Sequence, residues 1–323
     1  MIPFECARPG LDEKMLRDDA ANPLVSVVIP TYNQAELLRL AIRSVCEQTH
    51  TQWELIIIDN YSDDQTDSVV KEFKDQRIRR VLFKNHGVIA ASRNYGINIS
   101  HGEWIAFLDS DDQWYPDKLS CCLRILASEK ADMAGHGMDC LRDGEIWRTR
   151  AFQHRNNITY DELFWRGNQF MTSSVVVKKS CLEQVRGFSE EPAIITVEDY
   201  DLWLRLARVG CKMLTISDVL GKYLWYSGSM SRKVQIHLNA ELELIAKHLA
   251  GMPMGIGSKR RRTAMAYYTA ARTSQLNGNL ADAVHYCRQS LRIYPMILRQ
   301  YALLGLMVMQ KMTPCSAILK RWV

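Results

Sequence analysis

The chain has 323 residues, of which 47% are hydrophobic and 24% are charged, so its composition is that of an ordinary globular protein. This length allows one large α/β domain with a smaller appendage, or two medium domains. The formal net charge of +5 is weak for a dedicated nucleic-acid-binding protein. The one compact basic run, residues 259–262, is explained at least as well by the solvated start of a helix as by a ligand.

Nine cysteines are scattered along the chain without a C-x-x-C pair. This argues against a disulfide framework and against a structural zinc site, and buried thiols in a reducing compartment are the simplest account. The N-terminal segment lacks the apolar core of a secretory signal. The longest apolar stretch near the C-terminus, residues 301–309, is far shorter than the roughly 20 residues of a membrane span. We therefore expect a cytoplasmic protein, with peripheral membrane contact left open.

From residue 25 onward, short β-branched runs alternate with amphipathic segments. Strands are predicted over residues 25–29, 55–58, 80–83 and 104–108, and helices over residues 35–47, 64–73 and 88–99. Strands that are apolar on both faces indicate a parallel sheet covered by helices. In such sheets the ligand lies beyond the carboxyl ends of the strands. Polar residues cluster at those ends, over residues 30–33, 59–60 and 109–112.

After residue 112 the predicted strands are separated by longer loops, which suggests a mixed sheet. These strands lie over residues 132–140, 146–150, 173–177, 213–216 and 222–226. Residues 199–209 form an amphipathic segment, and the chain is helical from residue 234 onward, with a candidate linker over residues 251–258.

We expect an N-terminal tail over residues 1–22, an α/β domain over residues 23–235 and a helical region over residues 236–323. Within that helical region, residues 278–295 resemble the second half of a tetratricopeptide repeat. A plain helical hairpin is an equal alternative.

Two carboxylates, Asp109 and Asp111, close the fourth predicted strand and open a loop. At a strand end, carboxylates two residues apart can face one point. Hard cations such as Mg²⁺ and Mn²⁺ prefer such oxygen ligands and leave coordination positions for substrate phosphates. The pair alone is weak evidence for a metal site, because acidic loops and helix caps are common. Its place after a buried strand strengthens that interpretation.

Five motifs, in the family's order, resemble those of the family 2 glycosyltransferases, which have the GT-A fold. The motifs are residues 25–33, residues 59–64, Gly87 with residues 91–96, residues 107–112, and residues 198–203. The resemblance spans residue 25 to about residue 232. It implies a Rossmann-like mixed α/β sheet flanked by helices, here followed by an all-helical C-terminal extension. It also implies an inverting, metal-assisted transfer of a sugar from a nucleotide-diphosphate donor to an acceptor hydroxyl.

The resemblance implies roles for the matching residues. Those expected to bind the nucleotide sugar are Pro30, Thr31, Tyr32, Asn33, Asp59, Asn60, Arg93, Asp109, Ser110 and Asp111. Asp109 and Asp111 would also bind a divalent metal, Mn²⁺ or Mg²⁺. Asp199 would be the catalytic base, kept ionised and weakly basic by the start of a helix. Its neighbour Glu198 would contact the acceptor.

Two positions depart from the family pattern. Asn60 stands where the family usually has a second aspartate, which weakens the assignment of uridine as the donor nucleoside. Tyr226 stands where the family often has a histidine, and a tyrosine is a poor ligand for a divalent metal. The complete set of metal ligands is therefore left open.

Several of these residues also have ordinary structural explanations. Thr31 and Asn33 suit the entry to a helix, Asp59 suits a surface turn, and Arg93 suits a surface ion pair. Two other functions compete. A nucleotidyltransferase normally has a glycine-rich loop after its first strand, and this chain has none there. A non-catalytic scaffold would not need Asp109, Asp111 and Asp199 intact.

We expect the acceptor to be a saccharide or a lipid-linked saccharide, in the synthesis of bacterial surface polysaccharide, lipopolysaccharide or exopolysaccharide, and we expect no nucleic-acid partner. Residues 296–312 are apolar and are followed by basic residues. They suit a helix lying on the cytoplasmic face of the inner membrane. Packing of these C-terminal helices against the catalytic domain is an equal alternative.

Overall fold

The computed structural model describes residues 22–225, 233–250 and 255–312, except for the side chains of residues 311 and 312. Nine strands of this described part form one sheet. They are β1 (Val25–Thr31), β2 (Trp53–Asp59), β3 (Ile78–Leu82), β4 (Trp104–Phe107), β5 (Gln113–Trp114), β6 (Met133–Arg142), β7 (Glu145–Arg150), β8 (Val176–Lys178) and β9 (Met213–Leu224). Their order is β3-β2-β1-β4-β8-β6-β9-β5, and β7 pairs with β6.

Helices cover the sheet and continue beyond it. They are α1 (Ala35–Cys46), α2 (Thr66–Glu72), α3 (Ile89–Asn98), α4 (Lys118–Glu129), α5 (Tyr160–Arg166), α6 (Lys179–Gln184), α7 (Glu198–Arg208), α8 (Val234–Leu249), α9 (Ile256–Leu276), α10 (Leu280–Ile293) and α11 (Leu298–Met312). Short 3-10 turns lie at Thr172–Ser174 and Pro192–Ile194.

The first four strands confirm the predicted parallel arrangement. β1 pairs in parallel with both β2 and β4, and β2 pairs in parallel with β3. Every residue of β1 is buried, as expected for a strand covered on both faces. The carboxyl ends of these strands therefore meet at one edge of the sheet, where the polar clusters were predicted.

The second half of the sheet is mixed, as predicted, but differs in detail. β8 is antiparallel to β4 and β6, whereas β9 is parallel to β6. The predicted strands at 213–216 and 222–226 are joined in one strand, β9, which ends at Leu224, and residue 226 lies outside the described residues. The predicted strand at 173–177 begins as a 3-10 turn instead. Trp114 lies in β5 because it pairs with Gly221 of β9, and its indole N–H donates to the Ser173 carbonyl at 2.7 Å.

The core consists of two hydrophobic clusters. Val28, Ile56 and Phe107 belong to one cluster, and Val27 and Leu55 belong to the other. Alternate residues of one strand thus enter different clusters, because successive side chains of a strand point to opposite faces.

A glycine sets the distance between α3 and the central strand. A Cβ built on Gly96 would lie 2.4 Å from Cγ1 of Val28. This is closer than two carbon atoms can approach, so a side chain here would push α3 away from β1. Because α3 carries Arg93, Gly96 also helps to place that side chain.

The C-terminal helices α8 and α9 pack against α5 and α7 through hydrogen bonds. The alternatives for residues 296–312 stay open, because α11 packs on α9 and α10. Arg262 of α9 is only 2% exposed, although we expected the run 259–262 to be solvated. Its guanidinium donates to the carbonyl of Phe164 at 2.6 Å and to Glu241 at 2.9 Å. Arg262 is therefore a buried residue of the helix packing and not part of the solvated surface. The boundary after residue 235 stays a prediction.

Helices α9 and α10 form a hairpin whose turn contains Gly278 in the left-handed region, with φ at 83°. Its relation to a tetratricopeptide repeat stays a prediction. Helix α11 buries Leu303 and Met307, but its other face exposes Leu298, Tyr301 and Val308. None of the helices in the described ranges is long and apolar enough to cross a membrane.

Candidate active site

A cavity of about 600 Å³ opens beyond the carboxyl ends of β1, β2 and β3. Its lining residues are Tyr32, Asn60, Tyr61, Lys84 and His86. The Tyr32 and Tyr61 side chains are 56% and 58% exposed, so both rings are available to a planar ligand. Of these residues, Tyr32 and Asn60 were predicted from the sequence, whereas Tyr61, Lys84 and His86 were not. Lys84 and His86 follow the end of β3, so the strand-end argument applied to the third strand would have found them.

The loop after β2 is held by a buried carboxylate. Asp59 is fully buried and accepts hydrogen bonds from the Ser62 amide at 2.9 Å and the Ser62 hydroxyl at 2.6 Å. Arg80 forms an ion pair with the other carboxylate oxygen at 2.6 Å. These contacts explain how Asp59 shapes the loop that carries Asn60 and Tyr61. A direct contact between Asp59 and the nucleotide stays a prediction.

The loops after β1 and β2 are also tied to each other. Asn33, in the left-handed region at φ 50°, donates its amide to Ser62 at 2.9 Å, and its side-chain oxygen accepts from the Asp63 amide at 2.9 Å. The carbonyl of Thr31 accepts from the Asn60 amide at 3.0 Å. Hydrogen bonds therefore cross-link the two loops that form one wall of the cavity. Pro30, also predicted at this site, lies within β1 and is buried.

The acidic loop after β4 brings three carboxylates together. The Ser173 hydroxyl accepts from the Asp109 amide at 3.0 Å and donates to Asp112 at 2.5 Å. Burial, followed by the negative charges of Asp111 and Asp109, raises the pKa of the Asp112 carboxyl well above its usual value. Burial is the larger cause, and the neighbouring carboxylates add to it because like charges disfavour the ionised form. Ser110 is buried and its hydroxyl donates to Gln34.

Arg93 connects this loop to α7. Its guanidinium donates to Asp109 at 2.7 Å and to Glu198 at 2.8 Å, and the residue is 3% exposed. Burial alone would lower the pKa of Arg93, but the carboxylates of Asp109 and Glu198 outweigh it and raise the pKa above its usual value. Arg93 is thus a permanently charged bridge, not the surface ion pair of the ordinary explanation.

Asp199 lies at the start of α7, half-buried beside this bridge. Its carboxylate accepts from Asn168 at 3.1 Å and from the Thr172 hydroxyl at 3.2 Å. Burial and the charge of Glu198 raise the pKa of Asp199 to about 6, although Arg93 lowers it. The helix start therefore does not hold this carboxylate at a low pKa, as we expected from the sequence. The effect of burial is larger than that of the helix start, so the pKa lies closer to neutrality, which suits a proton acceptor.

Glu198 is buried and points to the same bridge. It accepts from Arg93 and, at 2.8 Å, from the Thr196 amide. These contacts orient the guanidinium, and the predicted contact between Glu198 and the acceptor stays a prediction. Tyr226, the second departure from the family pattern, lies outside the described residues.

One turn joins the two halves of the site. In Thr172–Ser174, Thr172 binds Asp199 while its neighbour Ser173 binds the Asp109 amide and Asp112. Asn168, Thr172 and Ser173 were not predicted from the sequence. No motif marks them, and they reach Asp199 and the acidic loop only through the fold, since Ser173 is 61 residues from Asp112.

Comparison with known proteins identifies the family. The model described as "Glycosyl transferase family 2" matches residues 26–182. The Escherichia coli protein named UDP-Glc:alpha-D-GlcNAc-diphosphoundecaprenol beta-1,3-glucosyltransferase WfgD is 30% identical over 185 residues, which cover 57% of this chain and 70% of WfgD. WfaP, also from Escherichia coli and with the same enzyme name, is 29% identical over 247 residues, covering 76% of this chain and 92% of WfaP.

A solved structure shows the same fold. The mannosyltransferase PcManGT from Pyrobaculum calidifontis, solved with GDP-Man and Mn²⁺, superposes with a TM-score of 0.61 at 18% identity, covering 93% of this chain and 83% of that one. The predicted GT-A fold is therefore confirmed, with a mixed sheet, flanking helices and a helical C-terminal region. Given the motifs, the fold and these matches, the chain belongs to glycosyl transferase family 2 and is a glycosyltransferase.

Proposed function

We propose that this enzyme transfers a sugar from a nucleotide-diphosphate donor to a hydroxyl of a lipid-linked saccharide, by inverting single displacement with a divalent metal. The step would belong to the assembly of a bacterial surface polysaccharide. The names of WfaP and WfgD, which specify a diphosphoundecaprenol-linked sugar, support this acceptor class. The observation that carries the mechanism is the Arg93 bridge, which joins the acidic loop at Asp109 to the helix that begins with Glu198 and Asp199.

The donor would lie across the cavity and the acidic loop. Tyr32 and Tyr61 offer ring faces to the base, and Lys84 offers a positive charge to the sugar–phosphate part. The Asn60 side chain can both donate and accept hydrogen bonds. It is therefore compatible with more than one base, so the donor class is a nucleotide-diphosphate sugar without a specified nucleoside.

Asp109 and Asp111 would hold the divalent metal. The geometry supports this, since Asp109, Asp111 and Asp112 share one loop at the end of β4 in which Arg93 pairs with Asp109. Their oxygen atoms are the ligands that Mg²⁺ and Mn²⁺ prefer. When bound, such a metal supplies neutralisation of the charge that develops on the leaving diphosphate.

Asp199 would act as the base. Its carboxylate, with a pKa near 6, accepts the proton of the acceptor hydroxyl as that oxygen bonds to the anomeric carbon. The bond from the anomeric carbon to the diphosphate oxygen breaks on the opposite face, and the configuration inverts. Asn168 and Thr172 hold the carboxylate in position, while Arg93 keeps Glu198 from competing for the proton.

The exposed face of α11 supports contact with the cytoplasmic face of the inner membrane, where a lipid-linked acceptor would be anchored. Leu298 is 82% exposed, Tyr301 51% and Val308 58%. Their spacing places them on one side of the helix. An apolar helical face of this kind binds at the boundary between headgroups and acyl chains.

Product analysis tests the proposal. Purified enzyme, a panel of nucleotide sugars and a lipid-diphosphate N-acetylglucosamine acceptor should give a product whose anomeric configuration, read by NMR, is inverted from that of the donor. Retained configuration would exclude single displacement. No transfer or hydrolysis of any nucleotide sugar, despite nucleotide binding, would favour the scaffold alternative.

Donor binding tests the metal. EDTA should abolish binding of the nucleotide sugar and Mn²⁺ should restore it, and Asp111→Ala should weaken binding strongly. Asp117→Ala, which removes an exposed carboxylate next to α4, is the matched control and should bind like wild type. Equal donor affinity in wild type and Asp111→Ala, with no effect of EDTA, would remove the metal from the proposal.

A further inference from the structure

Three potential ligands meet at the edge of the sheet opposite the active site. Asp132 precedes β6, Cys211 precedes β9, and Cys181 lies in α6, just after β8. Because β6 and β9 run parallel to each other and in the same sense as β1 and β4, their first residues lie at the edge remote from the acidic loop. The two sulfur atoms and a carboxylate oxygen all lie within 4.8 Å of one another.

These distances are close to those of a tetrahedral zinc site. Zinc bonds to sulfur at about 2.3 Å and to carboxylate oxygen at about 2.0–2.2 Å, so neighbouring ligand atoms lie roughly 3.5–3.8 Å apart. Side-chain adjustments on the order of 1 Å would therefore bring all three atoms onto one ion.

The backbone fixes the three segments relative to one another. The Asp132 amide donates to the Lys212 carbonyl at 2.8 Å, and the Lys178 amide donates to the Asp132 carbonyl at 2.8 Å. Asp132 thus joins the chain beside Cys211 to the end of β8, just before Cys181. The Lys212 amide also donates to one Asp132 carboxylate oxygen at 3.0 Å, a contact that orients this carboxylate.

Neighbouring positive charges are directed elsewhere. The Lys212 ammonium donates to the Glu129 carbonyl, and the Lys178 ammonium forms an ion pair with Glu103 at 3.7 Å. Cys211 is buried, whereas Asp132 and Cys181 are half-buried. One side of the cluster is therefore accessible to an ion and to water.

We propose that Asp132, Cys181 and Cys211 form a zinc-binding site that joins β6, α6 and the turn before β9, with a fourth position for water. Thiolates select zinc over magnesium and manganese, which suit the oxygen-only pair Asp109 and Asp111. The two sites would thus hold different ions. Sequence spacing did not reveal this one because its ligands come from three segments far apart in the chain.

Cobalt absorption tests the site in the full-length enzyme. Reduced, EDTA-treated protein titrated with Co²⁺ should develop a thiolate-to-cobalt charge-transfer band, which one equivalent of Zn²⁺ should abolish. Cys181→Ser and Cys211→Ser should lose the band. Cys46→Ser, at a half-buried cysteine of α1 outside the cluster, is the matched control and should keep it. Asp111→Ala should also keep the band, so the result does not depend on the proposed catalytic metal.

Asp132→Asn provides a variant that retains both thiols. It should keep a thiolate band but bind Zn²⁺ at least about tenfold more weakly than wild type. Zn²⁺ should raise the Tm of wild type and leave that of Cys181→Ser unchanged. The proposal is wrong if reduced wild type gives no thiolate band, or if the band persists when both cysteines are replaced. Isolation with a Cys181–Cys211 disulfide, and no band after reduction, would equally overturn it and assign a redox pair instead.

Discussion

The two faces of α7 carry aspartates two residues apart whose environments are opposite. Asp199 faces the active site, where burial and the nearby charge of Glu198 raise its pKa to about 6. Asp201 is fully buried on the face that packs against α8, and burial alone would raise its pKa too. There, however, His248 and Arg205 contact the carboxylate, and the charge of Lys247 adds a smaller effect. Together they hold the pKa of Asp201 well below its usual value.

The comparison shows that position at a helix start does not decide the state of a carboxylate. Both residues lie in the first turn of the same helix. The difference comes from what packs on each face. The Asp201 carboxylate lies 2.6 Å from the Arg205 guanidinium and 3.2 Å from the His248 ring nitrogen. The Asp199 carboxylate instead has neutral amide and hydroxyl partners. One face therefore holds a carboxylate whose pKa is raised, and the other uses a carboxylate to anchor the C-terminal helices.

Removal of the C-terminal helices should have the largest effect. A chain truncated after Gly257 loses nearly all of α9 and all of α10 and α11, including buried Arg262 and the cluster residues Ala266 and Ala271. We expect it not to reach a native fold, as measured by near-UV circular dichroism and urea unfolding. A chain truncated after Ile297 loses only α11 and should fold with reduced stability. Cooperative unfolding of the shorter chain at the wild-type midpoint would contradict the anchoring role.

On the active-site face, Asp199→Asn should lower kcat by about 10²–10⁴-fold, the usual contribution of a general base. Donor affinity should hardly change, because the base does not touch the nucleotide. Asp161→Asn, at the exposed first turn of α5, is the control and should retain kcat. If Asp199→Asn kept near-wild-type kcat while Glu198→Gln collapsed it, the base would be the other carboxylate.

On the opposite face, Asp201→Asn should lower the free energy of unfolding by about 3 kcal/mol, because it leaves buried positive groups without their partner. Urea denaturation measures this loss. The kcat of the folded enzyme should stay within about twofold of wild type, since Asp201 is not part of the proposed chemistry. A large fall in kcat with unchanged stability would show that the two faces are not separable.

The pH dependence gives the finest distinction. Below the Asp199 pKa of about 6, the protonated carboxyl cannot accept a proton, so kcat/KM should fall about tenfold per pH unit. Glu198→Gln removes a charge that raises this pKa, so its profile should shift to lower pH. Asp201 has a depressed pKa, and its contribution to stability is present above an unfolded pKa of about 3.9 and lost only as pH falls further. Asp201→Asn should therefore leave the profile unshifted between pH 5 and 8.

The parallel half of the molecule could be predicted from sequence because its signals are local. Residues 25–29 and 104–108 show buried strands, and the side chains that follow them lie at one edge by the rule for parallel sheets. Tyr32, Asn60 and Asp109 were found in this way. The exact contacts at this edge, such as the ion pair between buried Asp59 and Arg80, depend on β3 and could not be predicted from that rule.

The mixed half depends on pairings between distant segments. β9 was predicted as two strands because Ser217 and Asp218, both exposed, interrupt its apolar pattern. β5 has two residues and forms only against β9. Likewise the pKa of Asp199 depends on burial by elements far away in sequence, whereas the helix start, a local feature, pointed the other way.

The Thr172–Ser174 turn has a consequence for how the affinities of the two substrates depend on each other. Its neighbouring hydroxyls hold Asp199 on one side and the acidic loop on the other. If donor binding shifts this turn by a free energy that the acceptor site feels, acceptor binding must change donor affinity by the same factor, because equilibrium linkage is reciprocal. The two substrates then bind cooperatively through two adjacent residues, and Thr172→Val should reduce that mutual factor while each separate affinity stays near its wild-type value.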